Sequence, residues 1–141
     1  MKRQRRDRER INIYLNDKYS FSLSFKSAED LVVGQTLSSA DKEKLLEVDL
    51  IEKAYKKARR FVDYRPRSVK EVSDRLIKYG FELKIVRNVV ENLKNNNLLD
   101  DSQFAEMWVE NRRTFRPRSK RLMRKELMFK GVDECNIEVV L

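Results

Sequence analysis

The 141-residue chain contains no histidine, one cysteine, two prolines and three glycines. Without histidine there is no Ser–His or Cys–His catalytic pair and no imidazole metal ligand. The lone Cys135 can form neither an internal disulfide nor a cysteine-rich zinc site, which suits a reducing cytosol. Nothing around it in the sequence suggests activation, so it reads as a small buried apolar residue. Gly34, Gly80 and Gly131 stand far apart, leaving no glycine-rich loop to cradle a phosphate. No apolar run approaches the roughly 20 residues that span a bilayer, and the start lacks the apolar stretch of a signal peptide. Asp100 and Asp101 are adjacent carboxylates without further oxygen ligands, a poor metal site but a good helix opening. These absences predict a soluble, cytoplasmic, non-enzymatic protein with no metal, cofactor, membrane or small-molecule substrate.

What the chain has is charge. Lysine and arginine number 32 against 23 aspartates and glutamates, a net +9, and 39% of residues are charged, against about 25% in an average globular domain. The charge is patterned. Residues 1–10 hold six basic side chains, residues 56–70 hold seven against Asp63 alone, and residues 112–130 hold nine against Glu126 alone. The intervening stretch 91–110 is acidic, with five carboxylates against Lys94.

Hydrophobic spacing divides the chain into two kinds of element. Apolar residues at 11, 13 and 15, then at 19, 21, 23 and 25, alternate across a turn-like Asn16-Asp17-Lys18. This predicts a β-hairpin, which needs a further strand or a helix to cover it. From Ser38 the period changes to that of helices. Leu50, Ile51, Ala54, Tyr55, Ala58, Phe61 and Val62 predict a helical stripe over about 49–63. Arg65-Pro66-Arg67-Ser68 interrupts it, since the residue before proline disfavours the helical region. Ser68 with Glu71 makes a capping box for a second helix, whose Val69, Val72, Leu76 and Tyr79 share a face and which Gly80 ends. A third helix is predicted over 82–95, with Ile85, Val86, Val89, Val90 and Leu93 inward.

The pattern then returns. Arg116-Pro117-Arg118-Ser119 repeats Arg65-Pro66-Arg67-Ser68 after 51 residues, and at that offset Tyr64 matches Phe115, Leu76 matches Leu127 and Gly80 matches Gly131. The expectation is a mainly α protein: tandem three-helix repeats in an elongated array, with a short N-terminal β-hairpin module. The predicted divisions are 1–37 for the basic N-terminus and hairpin, 38–97 for a linker helix and first repeat, and 98–141 for a second repeat. Because Ile137, Val140 and Leu141 still follow a helical stripe, the chain is expected to be truncated at its C-terminus, without a third repeat.

Within this frame Ser68, Ser119 and Asp101 read as helix caps, Gly80 and Gly131 as helix exits, and Leu76 and Leu127 as core. Phe104 and Trp108, at i and i+4, read as core too, with Trp108 a partner anchor if exposed. Arginines beside a helix N-terminus oppose the helix dipole and want another reason to be there. Acidic side chains or phosphates of a partner supply one. The predicted partner-binding set is therefore Arg65, Arg67 and Lys70 in the first repeat and Arg112, Arg113, Arg116, Arg118, Lys120, Arg121, Arg124 and Lys125 in the second. Tyr55, Tyr64 and Tyr79 look too sparse for a base-stacking platform. A periodic basic edge fits a partner that is long, negative and periodic. Three short helices with a basic second helix also describe a helix-turn-helix protein reading the major groove directly.

Two series of residues carry a resemblance. One is Tyr64-Arg-Pro-Arg-Ser68 leading to Leu76, Lys78 and Gly80. The other is Leu98-Leu-Asp-Asp101, Phe104-Ala105, Trp108-Val109 and Arg112-Arg113, then Glu126-Leu127, Lys130 and Gly131-Val132. Over 49–141 the chain resembles the RecX regulators of the bacterial recombinase RecA, and its hairpin looks like the extension of the family's longer members. The resemblance implies tandem three-helix repeats, typically three, in a curved and elongated monomer. It also implies binding in the groove of the RecA–DNA filament and no catalytic site; the basic edges would meet acidic protomer surfaces there, with the DNA backbone, single- or double-stranded, as a further option. Inhibition of ATP hydrolysis, strand exchange and co-protease activity would then modulate DNA repair and the SOS response.

Overall fold

The computed structural model describes residues 2–3, 10–16, 18–24, 28, 31–35, 37–115 and 117–141. Asp17 of the expected turn, Phe25 of the expected strand and Arg116 of the basic set lie outside them. The chain divides into two units, Met1–Lys53 and Ala54–Leu141.

In the first unit β2 (Arg10–Leu15) and β3 (Lys18–Ser24) form the expected antiparallel hairpin, and β1 (Lys2–Arg3) adds a third strand along β2. Ile11 opposes Leu23 and Ile13 opposes Phe21, so one face gathers the apolar side chains. The register shifts between Ile13 and Tyr14, and beyond this bulge Tyr14 opposes Tyr19. That shift corrects the expected alternation: Tyr19 is exposed rather than facing the core with Phe21, and its ring meets that of Tyr14 edge-on. The covering helix is α1 (Ser39–Tyr64), which begins well before the predicted stripe. Ser38 and Asp41 cap it reciprocally: the Asp41 N–H donates to Ser38 Oγ and the Ser38 N–H to Asp41 Oδ2, each at 3.1 Å. Leu45 and Leu46 of α1 pack onto Ile13, Phe21, Leu23 and Ala28. Asp49, buried on α1, accepts both terminal nitrogens of Arg10 at 2.9 and 3.1 Å and ties helix to sheet.

The second unit holds two three-helix repeats. The end of α1, α2 (Val69–Lys78) and α3 (Leu83–Asn95) form the first; α4 (Asp101–Phe115), α5 (Lys120–Phe129) and α6 (Glu134–Val140) form the second. Ser68 and Glu71 complete the expected capping box, and Ser119 accepts the Leu122 N–H to open α5. Gly80, Asn97 and Gly131, all at positive φ, end α2, α3 and α5 by the same device. The next N–H returns to the carbonyl five residues back, as in Phe81 to Leu76, Leu98 to Leu93 and Val132 to Leu127.

Ala54, Ala58, Val72, Leu76, Ile85, Val86, Val89 and Leu93 are buried in the first repeat. Phe104, Ala105, Val109, Met123, Leu127, Val132 and Ile137 form the core of the second. Each buried leucine contributes roughly 1.5–3 kcal/mol. Two expectations are corrected. Tyr79 does not share the buried face of Val72 and Leu76 but projects outward from the C-cap of α2. Cys135 is exposed, because α6 turns Ile137 inward and leaves its first turn on the surface. No helix among the described residues is long and apolar enough to cross a membrane.

Candidate partner interface

The repeats are joined at the start of α2. The Ser68 hydroxyl donates to the Lys130 carbonyl at 2.7 Å, and the Val69 N–H donates to Asp101 Oδ1 at 2.8 Å. Asp101 is thus a cap, as expected, but it serves α2, 32 residues earlier, while Asp100 takes the Ser102 N–H of α4. Burial pushes the Asp101 carboxyl above its ordinary range, against the downward pull of the Val69 hydrogen bond. Lys70 extends along this junction, its Nζ donating to the Phe129 carbonyl and lying over the Phe129 ring.

Most of the predicted arginines have intramolecular partners. Arg65 donates to Glu71 Oε2 at 3.0 Å and to the Pro66 carbonyl. Arg67 donates to the Phe61 carbonyl at the end of α1 and stacks on the Phe61 ring at 3.8 Å. The Arg67 side chain is only 10% exposed. Arg112 and the Trp108 indole N–H both reach Glu126 Oε2, at 3.0 and 2.9 Å, and Arg118 pairs with Glu126 Oε1. Trp108 is therefore half-buried beside a carboxylate rather than sealed in the core with Phe104. Arg124 pairs with Glu138.

Arg113, Lys120, Arg121 and Lys125 differ. All four are exposed, and none has a hydrogen-bond, ion-pair or ring partner among the described residues. Lys120 and Arg121 open α5, whose first turn carries no acidic residue. They sit at the positive end of the helix dipole, and no anion among the described residues offsets them.

A second cationic feature was not legible in the sequence. A groove of about 480 Å³ lies between the end of α1 and α2, lined by Lys57, Arg60, Arg67 and Arg75. Phe61, Tyr64 and Tyr79 share its walls. Lys57 Nζ sits 4.6 Å from the Tyr79 ring centre, and the Arg75 guanidinium lies 5.1 Å from Phe61 and 5.5 Å from Tyr79. Tyr64 and Tyr79 are separated by a turn in sequence, which hides that the fold sets them in one groove. Tyr55 stands apart from them, its hydroxyl accepting from Asn96.

Comparison with known proteins follows the same divisions. Residues 1–38 match the model described as the regulatory protein RecX N-terminal domain, 54–93 the RecX first three-helix domain, and 100–141 the RecX second three-helix domain. The chain is similar to the regulatory protein RecX of Bacillus pumilus, 34% identical over 140 residues that cover 98% of this chain and 53% of that protein. It is also similar to that of Listeria innocua, 31% identical over 98% of this chain and 52% of that protein. The chain spans about half the length of the curated relatives it matches. A solved structure described as regulatory protein RecX superposes with a TM-score of 0.83 at 23% identity, covering 99% of this chain and 70% of that one, a likeness of fold. RecX from Lactobacillus salivarius superposes over 67% of this chain and 61% of its own, with a TM-score of 0.64 at 26% identity.

Proposed function

The chain belongs to the RecX family, and from that premise we propose that it is a non-enzymatic, cytoplasmic regulator that docks in the groove of the RecA–DNA filament. Its relatives are named regulatory proteins. The observation that carries the reading is the set of four exposed cations, Arg113, Lys120, Arg121 and Lys125, on the last turn of α4 and on α5, without partners among the described residues. On a filament they meet acidic protomer surfaces, and the repeated units give several linked contacts. Modest individual energies then suffice, because linkage raises the effective concentration of each later contact. Bridging neighbouring protomers opposes the rearrangements that ATP turnover and strand exchange require, which lowers recombinase and co-protease activity. Arg112 and Arg118 support this surface indirectly, by tying the end of α4 and the start of α5 to Glu126, while Arg65 and Arg67 brace the turn between α1 and α2.

The test is a charge-reversed chain, Lys120→Glu with Arg121→Glu and Lys125→Glu. Co-sedimentation with RecA filaments should fall at least tenfold in apparent affinity, with helix content unchanged. Undiminished co-sedimentation would place the contact elsewhere. A second reading rests on the same α5: as the basic middle helix of a three-helix unit it also suits a DNA major groove. Binding to naked duplex that weakens steeply with salt, with a slope of log affinity against log salt of roughly one per phosphate neutralised, would favour it.

A further inference from the structure

The two repeats place a cluster of cations and rings at the same point, where the first helix ends beside the second, yet the clusters differ in internal charge. In the second repeat a carboxylate sits at the centre: Glu126 binds Trp108, Arg112 and Arg118. Fifty-one residues earlier, Arg75 stands where Glu126 does, Phe61 where Arg112 does, and Lys57 where Trp108 does. The central anion has become a cation. Around it lie Lys57, Arg60 and Arg67, and no carboxylate lines the groove among the described residues. The acids nearby are engaged: Glu71 pairs with Arg65 at 3.0 Å and with Lys130 at 3.7 Å, standing 4.0 Å from Arg67, and Asp63 pairs with Arg59. Burial, reinforced by the Arg65 and Arg75 charges and only partly offset by Glu71, pushes the Arg67 guanidinium below its ordinary range. The second repeat closes its cluster with its own anion, whereas the groove of the first has only Glu71, at 4.0 Å from Arg67, as a carboxylate in ion-pair reach among the described residues.

We propose that this groove is a binding site for single-stranded nucleic acid, with a phosphate at Arg60 and Arg75 and a base against Tyr64 or Tyr79. The cations call for an anion, and the rings decide which one. An aromatic face carries negative potential and repels a carboxylate, whereas a base stacks on it. An acidic peptide would satisfy the guanidinium groups but would make no use of the exposed ring area of Tyr64, which is 83% exposed, and Tyr79, 49% exposed. Arg75 lies within cation–π range of Phe61 and Tyr79, and a guanidinium held beside a ring can still donate hydrogen bonds to a phosphate. The groove's volume falls within the roughly 300–1,000 Å³ of ligand sites. A duplex hides its base faces, so the site selects the unpaired strand. The assignment goes beyond the regulatory reading and stands apart from it, because its test contains no RecA.

The test is fluorescence anisotropy of a labelled oligo-dT of about 15 nucleotides, its RNA counterpart oligo-U, and the duplexed dT, each titrated with the whole chain. The single strands should bind and the duplex should bind several-fold more weakly; a preference between dT and U identifies the strand the site meets, and either supports it. Tyr64→Ala and Tyr79→Ala should each weaken binding by about tenfold, while Tyr64→Phe should bind as the parent does. Lys57→Gln with Arg60→Gln should weaken it more than Lys120→Gln with Lys125→Gln, which removes equal charge from α5. Tyrosine variants that fold and bind as the parent, a duplex that binds as tightly as the strand, or equal effects of the two charge pairs would overturn the assignment.

Discussion

Ser68 Oγ donates a 2.7 Å hydrogen bond to the carbonyl of Lys130, 62 residues further along the chain, while accepting the Glu71 N–H at 3.2 Å. One fully buried hydroxyl thus opens α2 and holds the end of α5 against it. Lys130 is the C-cap of α5, where carbonyls lack intrahelical partners, so the bond satisfies a group that burial would otherwise penalise. The repeat junction and the local helix cap are the same residue.

Ser68 and Ser119 occupy equivalent places with different surroundings, and their alanine variants should separate accordingly. Ser119 is exposed and caps α5 alone, so Ser119→Ala should cost about 0.5–1 kcal/mol. Ser68→Ala loses the cap and leaves the Lys130 carbonyl unsatisfied, at about 2–3 kcal/mol. Urea denaturation measures both, and equal losses would deny the junction its part.

Gly80 and Gly131 separate in the same way. Both sit at positive φ, +95° and +81°, where any side chain is strained by about 1–2 kcal/mol. A methyl group at Gly80 meets open space, whereas one at Gly131 would lie 2.5 Å from the Lys70 Cβ on α2. Gly131→Ala should therefore destabilise the chain distinctly more than Gly80→Ala in thermal melts. Similar melting temperatures would mean that the two repeats do not pack as closely as this contact requires.

Asp101 gives the junction a pH dependence of known sign. Its carboxyl is raised above 3.8 by burial, so the folded chain holds that proton more tightly than the unfolded chain. The group's contribution to stability falls as pH rises from the ordinary value through the raised one, and returns on acidification. Asp101→Asn keeps an acceptor for the Val69 N–H without the charge, so its stability relative to the parent should improve from about pH 3 to about pH 7. Asp101→Ala also leaves the Val69 N–H without its acceptor and should lose about 1–3 kcal/mol at pH 3, with the loss shrinking toward pH 7 by the same increment that favours the Asn variant. Denaturation at the two pH values decides: an Asn variant that fares worse toward neutrality would contradict the burial argument.

The parts legible in the sequence are those whose cause lies within a few residues. The Ser68–Glu71 box, the exits at Gly80 and Gly131, the inward face Ile85-Val86-Val89-Val90-Leu93 and the hairpin each follow from local spacing, and the 51-residue offset multiplied that signal. Contacts across the chain left no such trace. Nothing near Asp101 marks it as a cap for α2, and nothing near Asp49 marks Arg10 as its partner. Arg67 looked like a surface cation because sequence cannot show the Phe61 carbonyl it reaches. The bulge after Ile13 reversed the face of Tyr19, and the burial of Ile137 set which side of α6 carries Cys135. The groove leaves no mark in the sequence because Phe61, Tyr64 and Tyr79 meet only where α2 lies beside the end of α1.

The most direct measurement of the central claim is ATP hydrolysis by RecA on single-stranded DNA, titrated with this chain, and repeated with the Lys120→Glu, Arg121→Glu, Lys125→Glu variant. The account predicts that the parent chain lowers the rate below one chain per RecA protomer, and that the variant requires at least tenfold more. An unchanged rate at saturating parent chain, or a variant that inhibits as well as the parent, would contradict it.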